Sequence, residues 1–353
     1  MRLKNLLFFA VVCVACSLQA AQAAGKKSDE WDLSHGHPQV PTQHLPSLKQ
    51  IPIRAGIVVG YRKIDNAHPP VPVIFDLSNG QQSVWELPPE LFNPTHQCIH
   101  DTLAMQWAPG AKQFLLTHGG ALDLVHSDGT YSIVALKQPL TTEANGCMYD
   151  YALSPDGTLI AYTLNDGHST GLYYQQLHGS DQVKLVDGGY TFHPAWSPDG
   201  KKIAFTTKSD GLGIVSITGQ QLADIQPPFK REYPRALVDH IKWSPDGSRI
   251  AFLFDRKLYV INADGTGMKP IVFKPTDAEV ENYSWSPDGN QFVIASNVED
   301  GKRCSMNLGY YLEVGGFPCI QGYDLYTSNS DGSNLERITK EPFYFSYDLS
   351  WLL

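Results

Sequence analysis

The chain of 353 residues has no apolar segment beyond its N-terminus that is long enough to cross a bilayer as a helix. Basic residues are also scarce: 27 Lys and Arg stand against 36 Asp and Glu, which gives a net charge of −9. Nucleic acids and anionic membranes bind clustered Lys and Arg, so neither is an expected partner. After residue 23 no two cysteines have the CxxC spacing of a zinc site. These absences argue against nucleic-acid-binding, membrane-spanning and zinc-site classes.

The first 23 residues have the three parts of a secretory signal. Arg2 and Lys4 form the basic start, Leu6–Cys16 the apolar stretch, and Ala21–Ala23 the small-x-small cleavage site. We therefore expect cleavage near Ala23 and a mature protein in the periplasm or secreted. Removal of residues 1–23 takes away two basic residues and no acidic one, so the net charge moves from −9 to −11.

Cysteine usage fits an exported chain. Lipidation at Cys16 is not expected, because position 13 is a cysteine where lipoprotein signals have an aliphatic residue. An even number of cysteines remains in the mature chain and favours two disulfides. Cys304 and Cys319 bracket a Gly-rich stretch and would close a local loop, whereas Cys98 and Cys147 precede neighbouring repeats at similar offsets. We predict the pairs Cys98–Cys147 and Cys304–Cys319.

A tetrapeptide, Ser-Pro-Asp-Gly, recurs through the chain and predicts its architecture. It occupies Ser154–Gly157, Ser197–Gly200, Ser244–Gly247 and Ser286–Gly289, with a weaker copy at Ala108–Gly110. The residues preceding these copies are Trp107, Leu153, Trp196, Trp243 and Trp285, spaced 42–47 residues apart. That spacing is typical of the four-stranded blade of a β-propeller.

The third repeat gives the predicted blade. Its strands are His193–Trp196, Lys202–Thr207, Leu212–Ile217 and Gln220–Ile225, and the Pro-Asp-Gly turn joins the first two. We expect the aromatic residue before that turn to pack between adjacent blades. The fold class is therefore all-β, with antiparallel blades and no long helix.

The two ends of the chain together complete the ring. We call the residue that precedes each turn the landmark of its blade. The next landmark, Trp351, lies 66 residues after Trp285, which is longer than the 42–47 residues of the other repeats. An insertion at 297–322 in the fifth blade accounts for the additional residues. The last repeat then has only its first strand. Near the N-terminus, three predicted strands lack a preceding landmark strand: Ala55–Arg62, Val71–Ser78 and Gln82–Leu87. We predict a six-bladed propeller over 54–353, closed by one C-terminal and three N-terminal strands, after a flexible arm at 24–53.

The repeat resembles that of the TolB family of bacterial propellers. Pro194–Phe205 carries the resemblance most clearly, and the units at 150–165, 239–254 and 282–296 are similar. The resemblance implies a periplasmic or secreted propeller that binds cell-envelope proteins and has no catalytic activity. TolB proteins also have an N-terminal α/β domain, for which the 24–53 arm leaves no room.

A ring of polar residues is the predicted site. In a propeller the first strand of each blade lines the central channel, so equivalent positions on these strands surround it. The residues three before each landmark are polar in five blades of six: Ala104, Asp150, His193, His240, Asn282 and Asp348. Such a ring would hold a divalent cation, a small anion or a peptide end. The alternative is a water-filled channel whose side chains hydrogen-bond one another.

Two other patterns are interpreted as structural. Gly167–Gly171 matches the G-x-S-x-G motif of hydrolases, but it lies between two predicted strands of one blade and not at a strand-to-helix turn. The aspartates of the repeated turns, Asp156, Asp199, Asp246 and Asp288, are expected to cap backbone N–H groups and not to bind cations.

We therefore predict a non-enzymatic, monomeric interaction module of the bacterial envelope, without a cofactor and with envelope proteins as partners. One alternative is a metal-dependent lyase or hydrolase acting on oligosaccharides at the channel mouth. Another is a sensor of a metal or small ligand in the channel.

Overall fold

The computed structural model describes residues 46–62, 71–88, 91, 104–118, 121–134, 151–165, 170–179, 181–187, 192–226, 237–273, 279–296, 322–339, 343–344 and 349–352. These residues all belong to one compact unit, 40–353. Their regular structure is almost entirely β-strand. A search of these ranges finds no helix with the length and apolar character needed to cross a membrane. The signal segment, the arm before residue 46 and all four cysteines after residue 23 lie outside the described ranges, so the cleavage site and both disulfides stay predictions.

The described strands form six sheets. The first four strands are β1 (Ser47–Leu48), β2 (Ile57–Arg62), β3 (Val71–Asp76) and β4 (Gln81–Trp85). Blade 1 contains β5 (Ala104–Ala108), β6 (Gln113–His118), β7 (Ala121–His126) and β8 (Tyr131–Ile133). Blade 2 contains β9 (Tyr151–Leu153), β10 (Leu159–Asn165), β11 (Thr170–Gln176) and β12 (Val183–Val186). Blade 3 contains β13 (Phe192–Trp196), β14 (Lys202–Thr206), β15 (Leu212–Ser216) and β16 (Gln221–Ile225).

The remaining blades complete the ring. Blade 4 contains β17 (Asp239–Trp243), β18 (Arg249–Phe254), β19 (Lys257–Asn262) and β20 (Lys269–Pro270). Blade 5 contains β21 (Val280–Trp285), β22 (Gln291–Ser296), β23 (Gly322–Asn329) and β24 (Glu336–Arg337), and β25 (Phe343–Tyr344) pairs with β23. Blade 6 has the order β1-β4-β3-β2-β26, where β26 is Ser350–Leu352. The first strands are neighbours around the ring in the order β5, β9, β13, β17, β21, β26 and back to β5.

The predicted closure of blade 6 is confirmed. The C-terminal strand β26 pairs antiparallel with β2, with Val58 opposite Trp351 and Ile57 opposite Leu352. Strands β2, β3 and β4 follow outwards as an antiparallel meander. One C-terminal and three N-terminal strands therefore make this blade.

Residues 46–53 differ from the predicted flexible arm, which extended to residue 53. Ser47–Leu48 adds a fifth strand to blade 6, parallel to β4. Ile51 is only 1% exposed, and its N–H donates to the Ser127 carbonyl of blade 1 at 2.7 Å. The physical reason is burial of an apolar side chain at the junction of blades 6 and 1, which offsets the entropy cost of ordering this short segment.

The core lies between neighbouring blades, where the landmark aromatics contribute. The indole N–H of Trp196 donates to the Ala152 carbonyl at 3.0 Å, and that of Trp243 to the Ala195 carbonyl at 3.1 Å. Each bond joins a blade to the first strand of the preceding blade. The expectation that these aromatics pack between blades is confirmed, and each one also satisfies its single polar group.

Candidate functional site

The first strands of blades 3 and 4 are interrupted at the predicted ring positions. In β13 the pairing register shifts between Phe192 and Ala195, and in β17 between Asp239 and Lys242. His193 and His240 lie within these bulges and have φ of 53° and 49°. A left-handed backbone is uncommon outside glycine, and bulges reorient side chains at the rims of β-structures. The sequence pattern therefore singled out these two positions, but it did not predict that a bulge and a left-handed backbone occur there.

The other ring positions have different surroundings. Ala104 begins the regular strand β5. Asp150 and Asp348 lie outside the described residues, so the structure does not test their part in the ring. His193 and His240 lie on adjacent first strands, and the Tyr283 hydroxyl donates to the His240 carbonyl at 2.6 Å. The structure thus places three of the five polar candidates, His193, His240 and Asn282, on the consecutive first strands β13, β17 and β21.

Asn282 is buried, with 1% of its surface exposed. Its Oδ1 accepts hydrogen bonds from the Tyr283 N–H at 2.7 Å and from the Leu349 N–H at 3.3 Å. The amide therefore satisfies backbone donors of blade 5 and of the segment leading into β26. At this ring position the polar side chain therefore forms hydrogen bonds within the protein, which was the alternative to ligand binding.

Lys242 is a polar first-strand residue that the sequence pattern did not single out. It directly precedes Trp243 on β17, and its Nζ donates to the Tyr283 carbonyl at 2.8 Å and the Leu349 carbonyl at 2.9 Å. Nζ also lies 5.6 Å from the centre of the Tyr283 ring. Equivalent positions in the other blades carry uncharged residues: Gln106, Ala152, Ala195, Ser284 and Ser350. A single charge at this repeat position was the signal that would have identified it.

Charged residues of blades 4 and 5 lie at the end of the channel where these first strands begin. Arg256 Nη1 is 3.1 Å from Glu279 Oε2 and 3.9 Å from Glu281 Oε2. His240 Nδ1 is 3.2 Å from Asp239 Oδ1. Burial raises the pKa of the Glu281 carboxyl, and the Arg256 charge opposes that rise. The arrangement is a partly neutralised acidic rim.

A metal centre is not assembled by the part of the chain that the structure describes. Within those ranges no three His, Cys, Asp or Glu side chains are placed so that they could hold one ion. The ring hypothesis therefore depends on Asp150 and Asp348 for further ligands, and it stays a prediction.

Comparison with known proteins identifies the repeat. Residues 136–309 match the family model described as the TolB beta propeller domain. The propeller is TolB-like. Structures of putative TolB from Agrobacterium tumefaciens and of TolB from Acinetobacter baumannii share its fold. The first has a TM-score of 0.54 at 19% identity and covers 82% of this chain and 91% of its own. The second has a TM-score of 0.57 at 18% identity and covers 84% of this chain and 66% of its own.

A curated relative of this TolB-type propeller is an enzyme. Dipeptidyl-peptidase 5 from Porphyromonas gingivalis is 29% identical over 267 residues, which cover 58% of this chain. The match spans only 39% of that peptidase's length. The activity of the whole peptidase therefore does not transfer through this match.

The hydrolase-like motif Gly167–Gly171 lies at the connection between strands β10 and β11 of blade 2. Thr170 and Gly171 begin strand β11, and Thr170 is the register partner of Asn165 at the end of β10. The intervening residues 166–169 lie outside the described ranges. A nucleophile elbow joins a strand to a helix, whereas this motif joins two antiparallel strands of one sheet.

The repeated turns bind their own backbone, as predicted. The Ser244 hydroxyl donates to Asp246 Oδ1 at 2.5 Å, and the Ser248 N–H donates to the same oxygen at 3.0 Å. The Arg249 N–H in turn donates to Ser244 Oγ at 2.9 Å. The hydrogen bond from the Ser244 side chain is the largest cause that lowers the pKa of Asp246 from 3.8 to about 2. The same Ser–Asp bond also lowers the pKa of the other turn aspartates: Asp156, Asp199 and Asp288.

Asp246→Asn is expected to lower the free energy of unfolding by about 1 kcal/mol at pH 6, because charge-assisted hydrogen bonds in an exposed turn become neutral ones. The folded-state pKa lies below 3.8, so the carboxylate's contribution is present above pH 3.8 and is lost as pH falls towards 2. Urea unfolding at pH 6 and at pH 2 measures the difference between wild type and variant. A difference that persists undiminished at pH 2 would contradict this account.

Proposed function

We propose that the protein is a non-enzymatic interaction module of the bacterial cell envelope, exported to the periplasm or secreted, which binds one or more envelope proteins. The match of residues 136–309 to the TolB beta propeller domain supports this function. The observation that carries it is an asymmetry between the two ends of the propeller. One end has long connections, and the other has short turns that contact each other.

The loop face is the end at which the chain enters the first strand of each blade. Its long connections include 86–103, 134–150, 226–238, 271–279, 338–349 and, between β22 and β23, 297–321. Binding residues are disproportionately found on loops that a rigid scaffold positions. The six blades are that scaffold, so the loop face is the proposed binding surface.

The turn face is the opposite end, formed by the repeated turns. A Cβ at Gly247 would contact Pro198 of the preceding blade at 3.6 Å, and one at Gly289 would contact Pro245 at 3.5 Å. The Gly110 N–H donates to the Pro155 carbonyl at 2.9 Å. These turns satisfy their polar groups within the propeller, which leaves fewer groups to recognise a partner.

Charge favours a partner with a basic contact surface. The described part of the loop face in blades 3 to 5 carries several acidic residues, among them Asp210, Asp239, Asp255, Glu279 and Glu281. The basic residues beside them are Lys208, Arg256 and Lys257. Together with the net charge of −9, this excess would speed encounter with a positively charged partner at low salt.

Site-specific photo-crosslinking tests the proposed surface. A photoreactive benzophenone amino acid replaces one exposed lysine at a time in the full chain: Lys208 or Lys257 on the loop face, or Lys112 or Lys201 on the turn face. The four positions match in residue type and exposure. We expect crosslinked envelope proteins from the loop-face positions, identified by mass spectrometry after irradiation of cells that export the chain.

The controls separate two failures. Crosslinks from the turn face alone would overturn the assignment of the surface. An absence of any crosslinked protein above an irradiated tag-only control, at all four positions, would overturn the interaction role.

An enzyme at the channel mouth is the second candidate. The peptidase relative and the paired bulges at His193 and His240 favour it. Among the described residues, the two histidines on adjacent strands are not accompanied by the further ligands or the acid–base pair that such chemistry requires. The interaction role is therefore the stronger proposal.

A further inference from the structure

Blade 6 differs from the other blades because its first strand is not joined to its second by a turn. Strand β26 spans only three residues and pairs with β2 through three register partners: Ile57 with Leu352, Val58 with Trp351 and Val59 with Ser350. A three-residue strand has few ladder hydrogen bonds, and no turn of the chain ties β26 to β2, so this pairing can open locally. Contacts beyond this ladder therefore help to hold β26 in the ring.

Lys242 supplies one further attachment. Its Nζ joins three blades, because Lys242 belongs to blade 4, the Tyr283 carbonyl to blade 5 and the Leu349 carbonyl to the segment that leads into β26. Both bonds, at 2.8 and 2.9 Å, are charge-assisted. Such bonds are about twice as strong as neutral ones.

Blade 5 supplies two more attachments. Asn282 Oδ1 accepts from the Leu349 N–H at 3.3 Å, and Ser284 Oγ accepts from the Trp351 N–H at 3.1 Å. The Leu349 peptide thus has its N–H bound by Asn282 and its C=O bound by Lys242. Leu349 and Leu352 are 1% and 0% exposed, so release of the strand would also expose apolar surface.

We propose that Lys242, Asn282 and Ser284 form a polar clasp that holds the C-terminal strand in blade 6 and thereby keeps the ring closed. The clasp acts on the channel side of β26, while β2 acts on the opposite edge. The C-terminal strand is in effect a peptide ligand of its own propeller. This role does not depend on which partner the loop face binds.

Trimming by a carboxypeptidase tests the clasp in the full chain. The enzyme can remove residues 352 to 350 only when β26 is released, and intact-mass spectrometry of the chain that ends at Leu353 follows their loss. We expect Lys242→Met to be trimmed at least about tenfold faster than wild type, because two charge-assisted bonds are lost. Ser284→Ala, which removes one neutral acceptor, should show a smaller increase of about two- to fivefold.

Lys201→Met is the matched control, since Lys201 is an exposed lysine in a turn of blade 3. It should be trimmed at the wild-type rate. Circular dichroism establishes that each variant is folded before the assay. If Lys242→Met fails to fold, Ser284→Ala alone decides. Folded variants that are trimmed no faster than Lys201→Met would overturn the proposal.

Discussion

Trp285→Ala is expected to lower the free energy of unfolding by about 3–5 kcal/mol, the usual cost of truncating a buried tryptophan. The side chain is 5% exposed, and its ring centre lies 4.2 Å from that of Phe292. The Arg249 guanidinium lies 4.8 Å from its ring, and the indole N–H donates to the Lys242 carbonyl at 3.2 Å. Alanine removes all three contacts and leaves a cavity between blades 4 and 5.

Trp285→Phe is the informative partner of this variant. It retains most of the aromatic surface but loses the hydrogen bond to the Lys242 carbonyl, which corresponds to about 1–2 kcal/mol. Urea midpoints of both variants, followed by far-UV circular dichroism, measure the two costs. Equal losses would mean that the hydrogen bond, and not the packing, provides most of the stabilisation.

The blade pattern was predictable from the sequence because each blade repeats its own local chemistry. The Ser-Pro-Asp-Gly turn fixes a hairpin through Pro at a preset φ and Gly at a positive φ, and Gly200 has φ of 67°. The deficit in the last repeat then predicted the closure by β26 and β2. The blade hairpin and the ring closure can both be predicted from residue types and their spacing along the chain.

The site was less predictable because its determinants are distant in sequence. Lys242 contacts the Leu349 carbonyl across 107 residues, and no local pattern specifies that contact. The bulges at His193 and His240 insert residues into strands that the repeat pattern treats as regular. Ile51 becomes ordered through packing against blades 6 and 1, not through any strand pattern of its own.

Asn282 shows the limit of an argument by equivalent positions. The repeat places it in the ring together with two histidines, and its polarity suggested a ligand. In the structure it satisfies backbone N–H groups near the point where the ring closes. Equivalent positions in a propeller share a location but can have different functions. Asn282 holds the segment before β26, because the first strand of blade 6 is not connected to its second strand by a turn.

Among the glycines of the four Ser-Pro-Asp-Gly turns, Gly157→Ala is expected to be the most damaging substitution. Gly157 has φ of +72°, and a Cβ there would lie 2.5 Å from the Ala111 Cβ of blade 1. A left-handed backbone costs an L-residue about 1–2 kcal/mol, and crowding a packed contact adds about 1–3 kcal/mol. We therefore expect a loss of about 2–5 kcal/mol in the free energy of unfolding.

Gly200→Ala separates the two costs, because Gly200 occupies the same position of the turn in blade 3. Its φ is +67°, and a Cβ there would meet no heavy atom within 4 Å. Only the backbone cost of about 1–2 kcal/mol applies to it. A larger shift of the urea midpoint for Gly157→Ala would show that the turns of blades 1 and 2 press against each other, since the two variants share their backbone strain. Equal shifts would mean that Ala111 moves aside and that this part of the turn face is more compliant than its contacts suggest.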